Sequence, residues 1–205
     1  MRFQYLAITL LACLLVACTT GSSSSIPDRI VAERAGFIPE GIEYDTNNGR
    51  FLTGSLADGT IYQISNRGSM TAVITDTALM ASVGIEVDEV RNRLLVANSD
   101  RDSSTGAAML GIYDLGSGEQ LAIVDLSESI EDPGVEANFF ANDVAVSAAG
   151  VAFVTDTGMS IIYKVDTYYR ASVLIDFGRE SGFNLNGIEY NPEGYLIAVS
   201  SGTGS

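Results

Sequence analysis

The chain has 205 residues, 26 acidic against 11 basic side chains, no His and no Trp, for a formal net charge of −15. Nothing in that balance neutralises phosphates, which excludes a nucleic-acid partner. The missing His excludes Ser-His-Asp and Cys-His relays and His-ligated zinc or iron, so a bound metal must take oxygen ligands, as calcium or magnesium does. The acidity otherwise reads as a solvated surface that attracts cations.

Residues 1–18 read as a lipoprotein signal peptide. Arg2 supplies the positive start, and Ala7 to Val16 an apolar run too short for a good transmembrane helix. Leu15-Val16-Ala17-Cys18 resembles the bacterial lipobox. That resemblance implies a lipid on Cys18 and a membrane anchor in the bacterial cell envelope. Thr19 stands where an inner-membrane retention Asp would be, which points to the outer membrane facing the periplasm. Cys13 falls in the removed segment, so the mature chain has no disulfide. Residues 19–29, beginning Thr-Thr-Gly-Ser-Ser-Ser-Ser, form a flexible tether.

From residue 30 onward the pattern is all-β. Ile30-Val31-Ala32 reads as a short strand that pairs late in the fold. Pro39 to Ser65 then sets out a unit: Pro39-Glu40-Gly41-Ile42-Glu43-Tyr44, a polar turn, the strand Arg50–Ser55, the turn signal Asp58-Gly59, and the strand Thr60–Ile64. Met70–Ile74 adds an outer strand. The cadence returns at Ser82–Asp88, with Arg93–Ala97, Ala108–Leu115 and Gln120–Leu126. It returns again at Asn142–Val146, with Val151–Asp156, Ser160–Val165 and Ala171–Phe177. It starts a fourth time at Leu185–Tyr190 and Tyr195–Val199. Gly41 to Gly84, and Asp143 to Gly187, are each roughly 44 residues apart, the period of a four-stranded propeller blade. The expectation is a β-propeller domain over residues 30–205 with about four N-terminal blades. The break within the fourth repeat leads us to expect a longer natural protein.

In a propeller the innermost strands carry their first residues to the mouth of the central channel. The position before each Gly-Ile-Glu-like run holds Glu40, Val83, Asn142 and Asn186. A carboxylate and two amide oxygens meeting on one axis suit a hard cation, with calcium the natural guest. The same residues also suit turn capping, which Asn does often. Glu43, Glu86 and Glu189 recur at one place in three copies and read as structural, because a site requires the blades to differ.

PEGIEYD, Asn142-Asp143 and Asn186-Gly187, in that order, resemble the senescence-marker protein, gluconolactonase and luciferin-regenerating-enzyme family, the regucalcin-like proteins. The resemblance covers roughly Phe37 to Ser205. It implies a propeller that is six-bladed when complete, with one divalent cation, most likely Ca2+, in the channel. It makes Glu40, Asn142 and Asn186 metal-site residues, with Asn142 also substrate-binding. Arg101 is a further substrate-binding candidate on an insertion, against a plain reading as a solvated loop residue. The family's later-blade Asp, ligand and general base, would fall after Ser205. The catalytic residue is therefore not named. Asp100 to Gly106 resembles the start of an EF-hand but lacks its distal Glu, and reads as a loop.

The function this implies is calcium-dependent hydrolysis of a sugar lactone or related ester by a lipid-anchored enzyme. The alternative is a non-catalytic propeller that binds a ligand or partner at the cell envelope. A strictosidine-synthase-like propeller shares the architecture without this metal, and Glu40 argues against it.

Overall fold

A computed structural model describes residues 27–32, 34–100, 106–132, 134 and 137–202, without the Glu180 side chain. Cys18, the leader, the tether up to residue 26, and Arg101 lie outside the described residues.

The repeat folds as antiparallel meanders. The first comprises β1 (Pro39–Asp45), β2 (Arg50–Ser55), β3 (Ile61–Ile64) and β4 (Met70–Ile74), hydrogen-bonded in that order. The second comprises β5 (Ser82–Asp88), β6 (Arg93–Ser99), β7 (Gly106–Asp114) and β8 (Gln120–Asp125), and the third β9 (Phe139–Val146), β10 (Ala152–Asp156), β11 (Ile161–Val165) and β12 (Ala171–Asp176). A hairpin of β13 (Leu185–Asn191) and β14 (Tyr195–Ser200) begins the fourth. The turns obey local chemistry. Gly59, after Asp58, has φ +70, a region that disfavours a Cβ, and a Cβ there would also lie 2.0 Å from the Leu79 carbonyl oxygen.

The meanders are propeller blades, and the core lies between them rather than inside any one. Leu52, Ile61 and Leu79 of the first blade meet Ile85, Leu94, Val96 and Tyr113 of the second. The opposite side of the second blade, with Leu95, Leu110 and Ile112, meets Val144, Val154 and Tyr163 of the third. Ala145 and Ile162 then meet Leu185 and Ile188. β6 is buried on both faces and therefore reads as a continuous apolar run. The inner strands β1, β5, β9 and β13 stand side by side in that order. The ring is not closed. Ile42 on the first blade is 61% exposed, and Tyr195, Ile197 and Val199, alternating along β14, are about half exposed.

Two expectations change. Ile30–Ala32 is not a strand. It lies across the apolar side of the first blade, beside Ile42, Phe51 and Ile64, rather than along a strand edge. β9 starts at Phe139, three residues before Asn142, because β7 reaches across in parallel to pair Gly106 with Phe139 and Ala107 with Phe140.

A polar staple recurs at the far ends of the inner strands. Asp45 and Asp88 are buried, and each holds the arginine that opens the next strand: Arg50 Nε at 2.8 Å and Arg93 Nε at 2.9 Å. Each arginine then donates forward to the following blade, Arg50 to the Leu115 carbonyl at 2.7 Å and Arg93 to the Gly150 carbonyl at 2.8 Å.

Candidate functional site

Each inner strand carries a register irregularity at the position singled out above. Pairing jumps from Pro39 to Ile42 in β1, from Ser82 to Ile85 in β5 and from Leu185 to Ile188 in β13. In each case two residues of the inner strand face one of its partner, a β-bulge. In the third blade Ala141 pairs with Asp156 and Asp143 with Thr155, which leaves Asn142 as the extra residue. Bulges re-aim side chains and recur beside functional sites. Glu40, Val83, Asn142 and Asn186 are thus the bulged residues of four adjacent strands.

Their surroundings differ. Glu40 is exposed, Val83 buried, Asn186 half-buried and Asn142 buried. The Asn142 amide is anchored: its Nδ2 donates to Thr157 Oγ1 at 2.9 Å, and that hydroxyl donates to the Leu185 carbonyl. Thr155 Oγ1 donates to the Asn186 carbonyl at 2.6 Å, and the Ile188 N–H donates to Asp143 Oδ2 at 2.9 Å. Three bonds therefore tie the start of β13, the stretch that bears Asn186, to the third blade. With its nitrogen held by Thr157, Asn142 has its oxygen left as the acceptor. The donor set is all oxygen, as a hard cation requires. Among the described residues no three His, Cys, Asp or Glu side chains converge as a metal-binding group. A cation here would therefore depend on the amide oxygens.

Asp143 is the residue that the repeat pattern did not flag. It occupies the place of Gly41, Gly84 and Gly187 in the other copies, so it is a point where the blades differ. Its carboxylate fills space that Gly84 leaves open: a Cβ on Gly84 would stand 2.1 Å from Asp143 Oδ1. Burial pushes the Asp143 carboxyl up to about 6, against the Ile188 and Val144 N–H groups and with the charges of Glu40 and Glu189 adding.

The recurring glutamates belong to the same electrostatic group. Burial pushes Glu86 up to about 8, with Glu43, Glu189 and Asp143 adding. Burial pushes Glu43 up to about 7, with Glu189 and Asp143 adding. Repetition places an acid at this point in three of the four blades, and packing the blades side by side couples them to one another and to Asp143.

The pH dependence has a definite sign. A carboxyl whose folded value is raised binds its proton more tightly folded than unfolded. That stabilisation is complete below the ordinary carboxylate value and is lost as pH rises through the folded ones, here about 6, 7 and 8. Melting followed by circular dichroism should give a midpoint that falls between about pH 5 and pH 8. Glu86→Gln should flatten this slope and raise the midpoint at the alkaline end by several degrees. A wild-type midpoint constant across the window would show that these carboxyls do not share a desolvated site.

No protein-family model matches the chain, and no curated protein matches it. Solved structures do. A streptogramin B lyase superposes with TM-score 0.58 at 14% identity, over 79% of this chain and 48% of that one. A catalytically inactive virginiamycin B lyase from Staphylococcus aureus with quinupristin gives TM-score 0.59 at 13% identity, over 83% and 51%. An auxiliary nutrient binding protein from Bacteroides thetaiotaomicron gives 0.57 at 16%, over 80% and 36%. These neighbours are β-propellers, and the likeness establishes the fold. The chain spans about a third to a half of their lengths.

Proposed function

We propose that this propeller is a divalent-cation-dependent hydrolase of a sugar lactone or related ester, with Glu40, Asn142 and Asn186 as the cation-site residues. The observation that carries the reading is the bulge repeated in every inner strand at the position of these side chains. A bound cation, calcium by preference, would polarise the carbonyl of the substrate. The chain's own part is to hold the oxygens in place. Thr157 fixes the Asn142 amide, and Thr155 and Asp143 fix the strand that bears Asn186. When ionised, the Asp143 carboxylate, held by the Ile188 N–H, adds negative charge that favours a cation and discourages an anionic ligand. The general base is expected from a later repeat. We further propose a lipid on Cys18, which would place the domain at the outer membrane facing the periplasm.

The second reading is a binding module without chemistry. It draws support from the likeness to a nutrient binding protein as well as to lyases.

Calcium titration by calorimetry on the chain starting after Cys18 tests the site. One saturable site is expected, with affinity at least tenfold lower in Glu40→Gln, a change of about 1.4 kcal/mol. Glu43→Gln should chiefly alter stability. Equal affinity in wild type and Glu40→Gln would sink the assignment.

A further inference from the structure

The first blade holds a second polar cleft at the end away from Glu40. Glu40 lies near the start of β1 and the cleft beyond its last residue, Asp45, about 17 Å along the strand. The cleft has a volume of about 510 Å³ and is lined by Asn48, Arg50, Gln63, Ser65, Asn66 and Arg67. No acidic residue lines it, in a chain whose net charge is −15.

Its floor is rigid. Arg50 donates to Asp45 Oδ2 at 2.8 Å, to Gln63 Oε1 at 3.1 Å and to the Leu115 carbonyl at 2.7 Å. Ser65 Oγ accepts the Arg67 and Ser69 N–H groups at 3.3 and 3.1 Å, which fixes the turn between β3 and β4. Two polar groups that this turn presents lack a partner among the described residues. Among the described residues no ion pair or hydrogen bond reaches the Arg67 guanidinium. Asn66 Oδ1 is a buried acceptor without a donor among the described residues. A buried unpaired carbonyl oxygen costs about 1–3 kcal/mol, so such a group calls for a reason. Asn66 is itself one of the residues that line the cleft.

The unmet needs define a ligand. Arg67 calls for an anion, and a guanidinium matches a carboxylate in two-point geometry. Asn66 Oδ1 calls for a hydrogen-bond donor. The volume lies in the range of small-molecule pockets. We propose that this cleft binds a small carboxylate that also carries hydroxyl groups, of about monosaccharide size. Arg67 takes the carboxylate, Asn66 and Gln63 meet the hydroxyls, and Arg50 holds Gln63 in place. This site is independent of the cation reading and lies on the opposite end of the blade.

Calorimetry without added divalent cation, with D-glucuronate as probe, tests the proposal. Saturable binding is expected, at least tenfold weaker for D-glucose, which lacks the carboxylate, and for acetate, which lacks the hydroxyls. Arg67→Ala should weaken glucuronate binding at least tenfold, and Arg67→Lys less. Arg67 is exposed, so these variants keep the fold, and an unchanged far-ultraviolet spectrum checks that. Asn66→Ala should weaken glucuronate more than acetate. Glu40→Gln should leave glucuronate binding as in wild type, which separates this site from the cation site. Three outcomes overturn the proposal: no saturation with glucuronate, affinity unchanged in Arg67→Ala, or acetate binding as tightly as glucuronate.

Discussion

Gly84→Ala is expected to cost about 3 kcal/mol or more, the upper part of the range for overpacking a close-packed site. Gly84 is not among the glycines with positive φ, so the expected penalty is one of contact. A Cβ there would stand 2.1 Å from Asp143 Oδ1, 2.6 Å from Asp143 Cα and 2.8 Å from the Asn142 carbonyl oxygen. The carboxylate end can swing away. The Cα and the carbonyl cannot move unless β9 moves, and β9 is fixed to β10 on one side and by parallel pairing to β7 at its start. For a domain of this size the loss corresponds to a drop of about 6 °C or more in melting temperature. Gly116→Ala is the control: this glycine is exposed and its nearest contact would be an ordinary 3.4 Å, so a change within about 0.5 kcal/mol is expected. The effect should extend to calcium titration, since the displaced residues include Asn142. A Gly84→Ala melting point equal to that of wild type would mean that β5 and β9 do not approach this closely.

The second large effect is expected from Arg93→Ala. The Asp88 and Arg93 side chains are 3% and 7% exposed, and their contact is 2.9 Å. Removing one partner of a buried pair leaves an uncompensated charge and costs about 3–5 kcal/mol. Arg91 Nη1 also reaches both Asp88 oxygens, at 3.3 and 3.2 Å, which places the expected loss at the lower end, about 3 kcal/mol. The Gly150 carbonyl loses its donor as well, so the join between second and third blades weakens. Asp88→Asn combined with Arg93→Met should be less unstable than Arg93→Ala, because no buried charge is stranded. A double-mutant cycle measured by urea unfolding reads the coupling directly. Additive single effects would show that the two side chains do not interact. Arg50→Ala should cost less, since Arg50 is 17% exposed and keeps more of its hydration.

The strands were largely legible from local pattern. Arg50–Ser55, Met70–Ile74 and Ser82–Asp88 were expected with the bounds they have, because alternation and turn residues are encoded within a few positions. Where the reading failed, the decision was made by distant residues. Ile30–Ala32 has the composition of a strand, yet it lies against the apolar face of the first blade, beside Ile42, Phe51 and Ile64. The early start of β9 depends on β7, which is about 30 residues upstream in the chain. The candidate site shows the same division. Glu40, Asn142 and Asn186 could be picked out by their place in the repeat, but the bulges could not, because a bulge is a property of two strands in register. Asp143 stands where the other copies carry glycine, yet the repeat pattern did not single it out. Its consequence, a buried carboxylate bonded to the Ile188 N–H, depends on the neighbouring blade.

The amino-acid sequence by itself determined the all-β repeat, its roughly 44-residue period, the acidic oxygen-rich character of the inner strands and the lack of imidazole. These follow from residue identity and short-range spacing. The tertiary structure alone decided which acids become neighbours and shift one another's protonation, which arginine reaches which blade, and which polar groups on the first blade stay unmatched. Those depend on distances of a few ångströms between residues about 20 to 65 positions apart, and only packing of one blade against the next sets such distances.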